Sequence, residues 1–340
     1  MIIELQVGFP ALGIKQISNF GCLALGAISY VMKAFRLYGS RGSERVVLEE
    51  IPTPEIGAGQ VLVRVHATAV TPGEPEWYPT LHTPKGDPRS RQILSHEFSG
   101  VIEEVAAGTT GLEKGDAVYG MNNWFMDGAA AEYCITTPTE IAPKPKTLDH
   151  AYTAAVPISG LTAWQALFEH GKLEAGQKVL IHGGAGGVGS FAIQLAAWKG
   201  ASVATTVSEP NAEFVRGLGA VQVIDYQKSR FEEVVDDADV VLDLVGGDTL
   251  RRSFTAIKKG GRVVTVATNA ESSEDPAVKR AFFIVETNRE QLIELAKLID
   301  TGKIRPIISE VFALEKAAQA YFPAQKKALP GKFVIRVSSS

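Results

Sequence analysis

One hexapeptide limits the fold of this chain more than any other stretch. Gly184-Ala185-Gly186-Gly187-Val188-Gly189 follows an apolar run, Lys178 to His182, and opens into a helical one, Ser190 to Lys199. This is the Gly-x-Gly-x-x-Gly spacing of a strand-turn-helix that cradles a pyrophosphate. The first glycine permits the tight turn, the second lets backbone approach the phosphates, and the third lets the helix pack closely on the strand. The helix N-terminus behind them offers unpaired N–H groups and the positive end of its dipole. Such a turn alone is compatible with a purely structural role, so the continuation decides. Strand candidates at Ser202 to Val207, Val221 to Tyr226, Asp239 to Val245 and Arg262 to Val266 alternate with helical segments. These include Asn211 to Leu218, closed by Gly219, and Asn288 to Ile299, ending at Gly302. Near-continuous apolar strands alternating with helices predict an α/β domain with a doubly wound parallel sheet. Gly184, Gly186, Gly187, Val188 and Gly189 are its expected dinucleotide contacts.

The stretch before this domain reads differently. From Met32 to about Asp149, short β segments such as Gln60 to His66 and Phe98 to Ile102 are punctuated by Gly and Pro, which predicts an irregular β-rich domain. After Arg305-Pro306 the chain returns to β character and finishes with Gly331 to Val337. Residues 1–31 carry only Glu4 and Lys15 as charges and include the apolar run Phe20 to Val31. That run is short for a membrane span and lacks the basic start and Ala-x-Ala site of a secretory signal. The expectation is an appended extension, with the catalytic protein starting at Met32.

Composition excludes several classes. A formal net charge of -4 with scattered Lys and Arg is no footprint for a phosphate backbone, so nucleic acid is not an expected partner. Cys22 and Cys134 are too few for a disulfide scaffold or a four-thiolate zinc site, and a reducing, cytoplasmic setting fits. No Ser-His-Asp or Cys-His arrangement suggests a hydrolase.

The choice of dinucleotide turns on the end of the second strand, where an acid about 20 residues beyond the glycines holds a ribose 2′-hydroxyl. Glu209 stands at that distance, next to the small Ser208, which leaves room for a 2′-phosphate; Tyr226 closes the following strand. Glu209 as a plain surface acid is the competing reading.

These residues resemble the medium-chain dehydrogenase/reductase superfamily, in particular its zinc-independent quinone oxidoreductase, or zeta-crystallin-like, branch. The resemblance runs from Met32 to Val337 and rests on His96-Glu97-Phe98-Ser99-Gly100, Gly115 to Gly120, Gly160-Leu161-Thr162-Ala163-Trp164, the glycine turn and Val245-Gly246-Gly247. It implies a GroES-like catalytic domain from residues 32–155 and 303–340, and a Rossmann domain from 156–302. It also implies a homodimer joined through Rossmann edge strands, with Arg262 to Val266 as the segment. By resemblance, Thr162, Val245, Gly246 and the Phe283 to Val285 region line the nicotinamide half of the site. The branch often carries Asn where this chain has Thr71 in Val70-Thr71-Pro72-Gly73, and a basic residue near Pro210. NADP(H) is slightly preferred over NAD(H).

Zinc alcohol dehydrogenases of the superfamily bind their metal with a Cys, a His and a third Cys or carboxylate. His96 and Glu97 are present here, but Thr71 stands in the thiolate's region, so the expectation is no zinc, with His96 a hydrogen-bonded structural residue and Cys134 a buried small hydrophobe. The expected reaction is hydride transfer to a quinone or an α,β-unsaturated carbonyl. Trp77, Trp124 and Phe125 are the candidate apolar pocket, and Tyr78 or Thr71 the candidate donor to the substrate oxygen. Zinc-dependent alcohol oxidation and a cofactor-binding protein of little turnover are the two alternatives.

Overall fold

The computed structural model describes residues 30–39, 45–267, 270, 273–322 and 329–338. The expected extension, apart from Tyr30 and Val31, lies outside these. A hairpin of β1 (Val31–Tyr38) and β2 (Arg45–Pro52) comes first. It docks through Phe35 N–H to Ala130 O and Leu37 N–H to Gln92 O, both 2.8 Å.

A seven-stranded sheet follows, made of β3 (Val61–Val70), β4 (Glu97–Val105), β5 (Ala117–Met121), β6 (Tyr133–Thr136), β7 (Ile141–Pro143), and two strands from the far end of the chain. Of its interior residues, Val61, Val63, Val65, Phe98, Ile102, Val118 and Ile141 are buried together. Strands buried along most of their length, separated by Gly- and Pro-containing turns, account for this half.

The second sheet holds β8 (Lys178–His182), β9 (Ser202–Val207), β10 (Gln222–Asp225), β11 (Ala238–Asp243) and β12 (Ile257–Thr265), all parallel, in the order β10-β9-β8-β11-β12. The order reverses at β8, and the glycine turn leaves its carboxyl end; ligands of open parallel sheets bind at such a switch point. The predicted strands are all present, β8 and β9 with the predicted ends and β10, β11 and β12 with shifted ones. β12 starts five residues before Arg262, running through Lys258, Lys259, Gly260 and Gly261, which carry no apolar signal. It is an edge strand, so half of its surroundings are polar.

The helix Gly187–Lys199 begins three residues before the predicted Ser190, because the glycines themselves form its first turn; it stops at Gly200, whose φ of 87° is left-handed. Residues 189–196 are buried all round, as expected for a helix enclosed between layers. The helix Arg289–Asp300 is amphipathic, burying Leu292, Leu295, Leu298 and Ile299, and Asn288 caps it by accepting from Gln291 N at 3.0 Å. The predicted helix at Asn211 resolves into a 3-10 turn, Glu209–Asn211, and a short helix, Ala212–Gly217.

After the parallel sheet the chain returns to the first sheet with β13 (Ile308–Ala313) and β14 (Lys332–Arg336). β14 pairs antiparallel with β3, Phe333 opposite Val70. It also passes the glycine turn, where Gly331 N–H donates to Ala185 O at 3.0 Å. The two halves meet again where Tyr119 Oη donates to Leu292 O at 2.5 Å and Arg289 Nη1 to Pro138 O at 3.1 Å. No helix among the described residues is long and apolar enough to cross a membrane.

Candidate active site

The glycine turn leaves no room for side chains. A Cβ on Gly184 would lie 2.1 Å from Thr205 Oγ1, and one on Gly189 would lie 2.3 Å from Gly183 O. Strand, turn and helix are thus in direct backbone contact. Gly186, by contrast, is exposed, with its nearest neighbour to an added Cβ at 3.4 Å, so its surface is open to a ligand. Val245, 56% exposed, stands beside Gly183, 3.7 Å from where a Cβ would be. The loop that carries it is held by Asp243, a buried carboxylate that accepts from Gly246 N and from Thr265 Oγ1, both at 2.9 Å. Burial pushes the Asp243 carboxyl up, and its hydrogen bonds oppose that shift. A bare turn, a helix N-terminus and an exposed apolar wall fit a nicotinamide dinucleotide.

On the other side of Gly187 lies a lysine that motif reading passes over. A Cβ on Gly187 would come 2.7 Å from Lys332 Cδ. The Lys332 ammonium reaches Glu97 Oε1 at 2.5 Å and donates to Thr71 Oγ1 at 3.1 Å. Glu97 is fully buried, and its second oxygen accepts from Ile158 N at 2.9 Å. Desolvation raises its carboxyl, while Lys332 and the Ile158 amide pull it back. Three chain segments, the end of β3, the start of β4 and the start of β14, therefore meet beside the cradle.

A second buried group adjoins it. Glu74 Oε1 accepts from Ser95 N at 2.7 Å and faces His96 Nδ1 at 2.7 Å; His96 Nε2 faces Met126 O at 3.1 Å. Ser95 Oγ hydrogen-bonds Tyr321 Oη. His96 is thus held on both ring nitrogens by neighbouring acceptors. Trp124 lies over it, ring centroids 5.3 Å apart, and packs edge-on against Trp77 at 5.1 Å. Trp124 Nε1 donates to Val285 O at 3.2 Å, tying this wall to the parallel-sheet half.

Of the residues singled out in the sequence, the structure brings Thr71, through Lys332, to Gly187 of the glycine turn, and Val245 beside Gly183 at its other side. Tyr78 is on the surface, 56% exposed, its ring stacked on His82 at 4.5 Å. Phe125 closes a turn, its amide donating to Asn123 Oδ1 at 2.9 Å. Phe283 and Val285 are buried in the core, Phe283 stacked on His170, and Ile284 between them is the exposed side chain, at 56%. Of this segment, then, Ile284 and not the implied Phe283 or Val285 is the side chain open to a ligand. Thr162 is buried and spends its hydroxyl on Ile158 O at 2.6 Å. Cys134 is buried, with its thiol pushed up to about 12 by desolvation.

At the far end of the cradle, Glu209 pairs with Lys228, whose ammonium also lies 3.8 Å from Asp225. Tyr226 is 60% exposed beside them, and Ser208 Oγ accepts from Asn211 Nδ2 at 3.3 Å. Lys228 lies 19 residues from Glu209 in the chain, beyond the next strand.

A catalytic zinc does not fit these residues. Thr71 offers a hydroxyl where a thiolate is needed, both ring nitrogens of His96 are turned to other partners, and an ammonium already sits on Glu97. Among the described residues no group of three or more His, Cys, Asp and Glu side chains is brought together for a metal.

A glycine-turn parallel sheet set into a β-rich domain built from both ends of the chain defines a two-domain nicotinamide-dependent oxidoreductase. Comparisons with known proteins narrow this. The family described as alcohol dehydrogenase GroES-like domain matches residues 57–146, and that described as zinc-binding dehydrogenase matches residues 218–335. A 2-methylene-furan-3-one reductase of Solanum lycopersicum is 34% identical over 317 residues, 89% of this chain and 79% of that protein. A mitochondrial NAD(P)H oxidoreductase of Homo sapiens is 32% identical, over 82% of each chain. The solved structure of the quinone oxidoreductase from Coxiella burnetii superposes with a TM-score of 0.81 at 32% identity, covering 91% of this chain and 100% of that one. The chain belongs to the medium-chain dehydrogenase/reductase superfamily, in its quinone oxidoreductase branch, and is an oxidoreductase.

Proposed function

We propose that the protein is an NAD(P)H-dependent reductase that passes hydride to a quinone or an α,β-unsaturated carbonyl without a metal. The observation that carries the reading is the Lys332 ammonium seated on Glu97 and Thr71 beside the glycine turn, where a metal-dependent relative needs a cation site. The names of the tomato and Coxiella proteins support the same acceptor classes. The cofactor supplies the hydride when bound; the chain orients the acceptor and excludes water with Trp77 and Trp124. Purified protein should oxidise NADPH in the presence of small quinones or enones, followed by loss of reduced-nicotinamide absorbance, at a rate untouched by exhaustive chelation. Activity that disappears on chelation and returns with zinc would overturn the metal-free part of this reading.

NADPH is the favoured cofactor, because Lys228 neutralises Glu209 and sets a cation at the end of the second strand where a 2′-phosphate would lie. Lys228→Ala should weaken NADPH binding about tenfold, the worth of one charge-assisted contact, and leave NADH unchanged. Equal effects on the two cofactors would reject Lys228 as the discriminating residue. The edge position of β12 supports a homodimer through that strand. Few cysteines and a buried thiol support a reducing compartment; composition favours the cytoplasm, whereas the human relative is named mitochondrial.

A further inference from the structure

We propose that Thr71 donates the hydrogen bond that stabilises the acceptor's oxygen during reduction, and that Lys332, anchored by Glu97, polarises Thr71 for this role. The inference rests on the hydride-transfer reading above and assigns the electrophilic half of that reaction to two residues of this chain.

The geometry sets the direction of each proton. An ammonium has three donors and no acceptor, so Lys332 Nζ donates to Thr71 Oγ1 and the hydroxyl oxygen accepts. Thr71's own proton must then point away from Lys332. Thr71 is half-buried immediately after β3, where Glu74 N–H holds its carbonyl at 3.0 Å, so the hydroxyl sits on a fixed piece of backbone. Lys332 is equally constrained: its stem lies against Gly187, and its head is seated on a carboxylate whose other oxygen is held by the Ile158 amide. The side chain is 9% exposed, so its charge acts on Thr71 with little screening by water. Because the Lys332 stem touches the phosphate-binding turn, the polarised hydroxyl lies at the junction of cofactor cradle and substrate wall.

In the reaction, an enone gains hydride at its β-carbon from the reduced nicotinamide. The C=C pair moves toward the carbonyl, whose π electrons collect on oxygen as an enolate. Thr71 Oγ1–H donates to that oxygen and keeps its proton; water then delivers a proton to the α-carbon. For a quinone, hydride and a water-derived proton give the hydroquinone, with the same donor on the oxygen that becomes anionic. Preorganised donors of this kind contribute about 100- to 1000-fold to turnover. Thr71 is the catalytic residue and Lys332 a positioning residue.

The test uses the full chain, NADPH, a simple enone and a naphthoquinone, with dinucleotide affinity read separately by fluorescence titration. Thr71→Val should lower kcat about 100-fold while leaving NADPH affinity and melting temperature unchanged, and Thr71→Ser should restore most of the rate. Removing the charge pair together, Glu97→Gln with Lys332→Met, avoids an orphaned buried charge and should cost a similar factor. Adding Thr71→Val to that pair should cost little more, because the residues act as one unit. Lys332→Arg keeps the charge and should retain partial activity. Full kcat in Thr71→Val, or losses that multiply when the variants are combined, would overturn the proposal. So would a pair variant that binds NADPH far more weakly but keeps kcat at saturation, which would make Lys332 a phosphate ligand. A wild-type protein that reduces neither acceptor would instead defeat the functional reading itself, and the proposal with it.

Discussion

The glycine turn and the polar cluster beside it meet at Gly187 but are built by opposite means. The turn lies within seven consecutive residues, 183–189, and works through backbone: Gly184 and Gly189 are needed because a single carbon there would strike Thr205 or the Gly183 carbonyl. The cluster works through side chains whose partners are far apart in the chain. Lys332 and Thr71 are 261 residues apart, and Ser95 and Tyr321 are 226 apart. A local steric requirement leaves its mark in one short motif, whereas a charge network assembled across the sheet leaves none at any single position.

The largest effect is expected at the turn. Gly189→Val should abolish NADPH binding, a loss of more than about 100-fold, because backbone carbonyl rather than a movable side chain blocks the new atoms; retained affinity in a fluorescence titration would show that the cradle lies elsewhere. In the cluster, Glu74→Ala should act on stability instead. It strips Ser95 N and His96 Nδ1 of their acceptor and should cost about 3 kcal/mol in urea unfolding. The folded variant should still bind NADPH, and joint loss of both properties would mean the two regions are not separable.

A smaller effect sharpens the contrast through pH. His182 ends β8 next to the turn, fully buried, bonded to Thr206 Oγ1 at 3.0 Å, and burial holds its imidazole down to about 4. Its folded pKa is below the unfolded value near 6.5, so its stabilisation is complete above that value and is lost as pH falls toward 4. Between about pH 7 and about pH 5 this amounts to about 2 kcal/mol. His150, also held down to about 4 by burial, adds to the slope from the catalytic half. His182→Gln should flatten the fall in melting temperature on acidification; an unchanged slope would assign the acid sensitivity to the other half.

Much of the parallel-sheet half is legible in the sequence because apolar period and glycine spacing are local. The misplaced ends have physical causes. β12 was read too short because its first residues are lysines and glycines on an edge strand, and Gly187–Lys199 too short because glycines seldom sit in a helical turn. Thr71 and Glu97 were legible as residues of interest but not as partners, since nothing in Gly331-Lys332-Phe333 marks that lysine as anything but a strand residue. Phe283 and Val285 illustrate the reverse case: the resemblance points to this segment, and only the structure decides that Ile284 is its exposed member.

By itself, the sequence determined the glycine turn, the alternation of strands and helices around it, and the family, because each depends on backbone geometry or on burial repeated at short range. Only the tertiary structure decided which charges meet. Lys332 reaches Glu97 and Thr71, Lys228 reaches Glu209, and Glu74 holds His96, because β-sheet pairing brings distant segments within a few ångströms, and Coulomb and hydrogen-bond energies depend on that distance and not on separation along the chain.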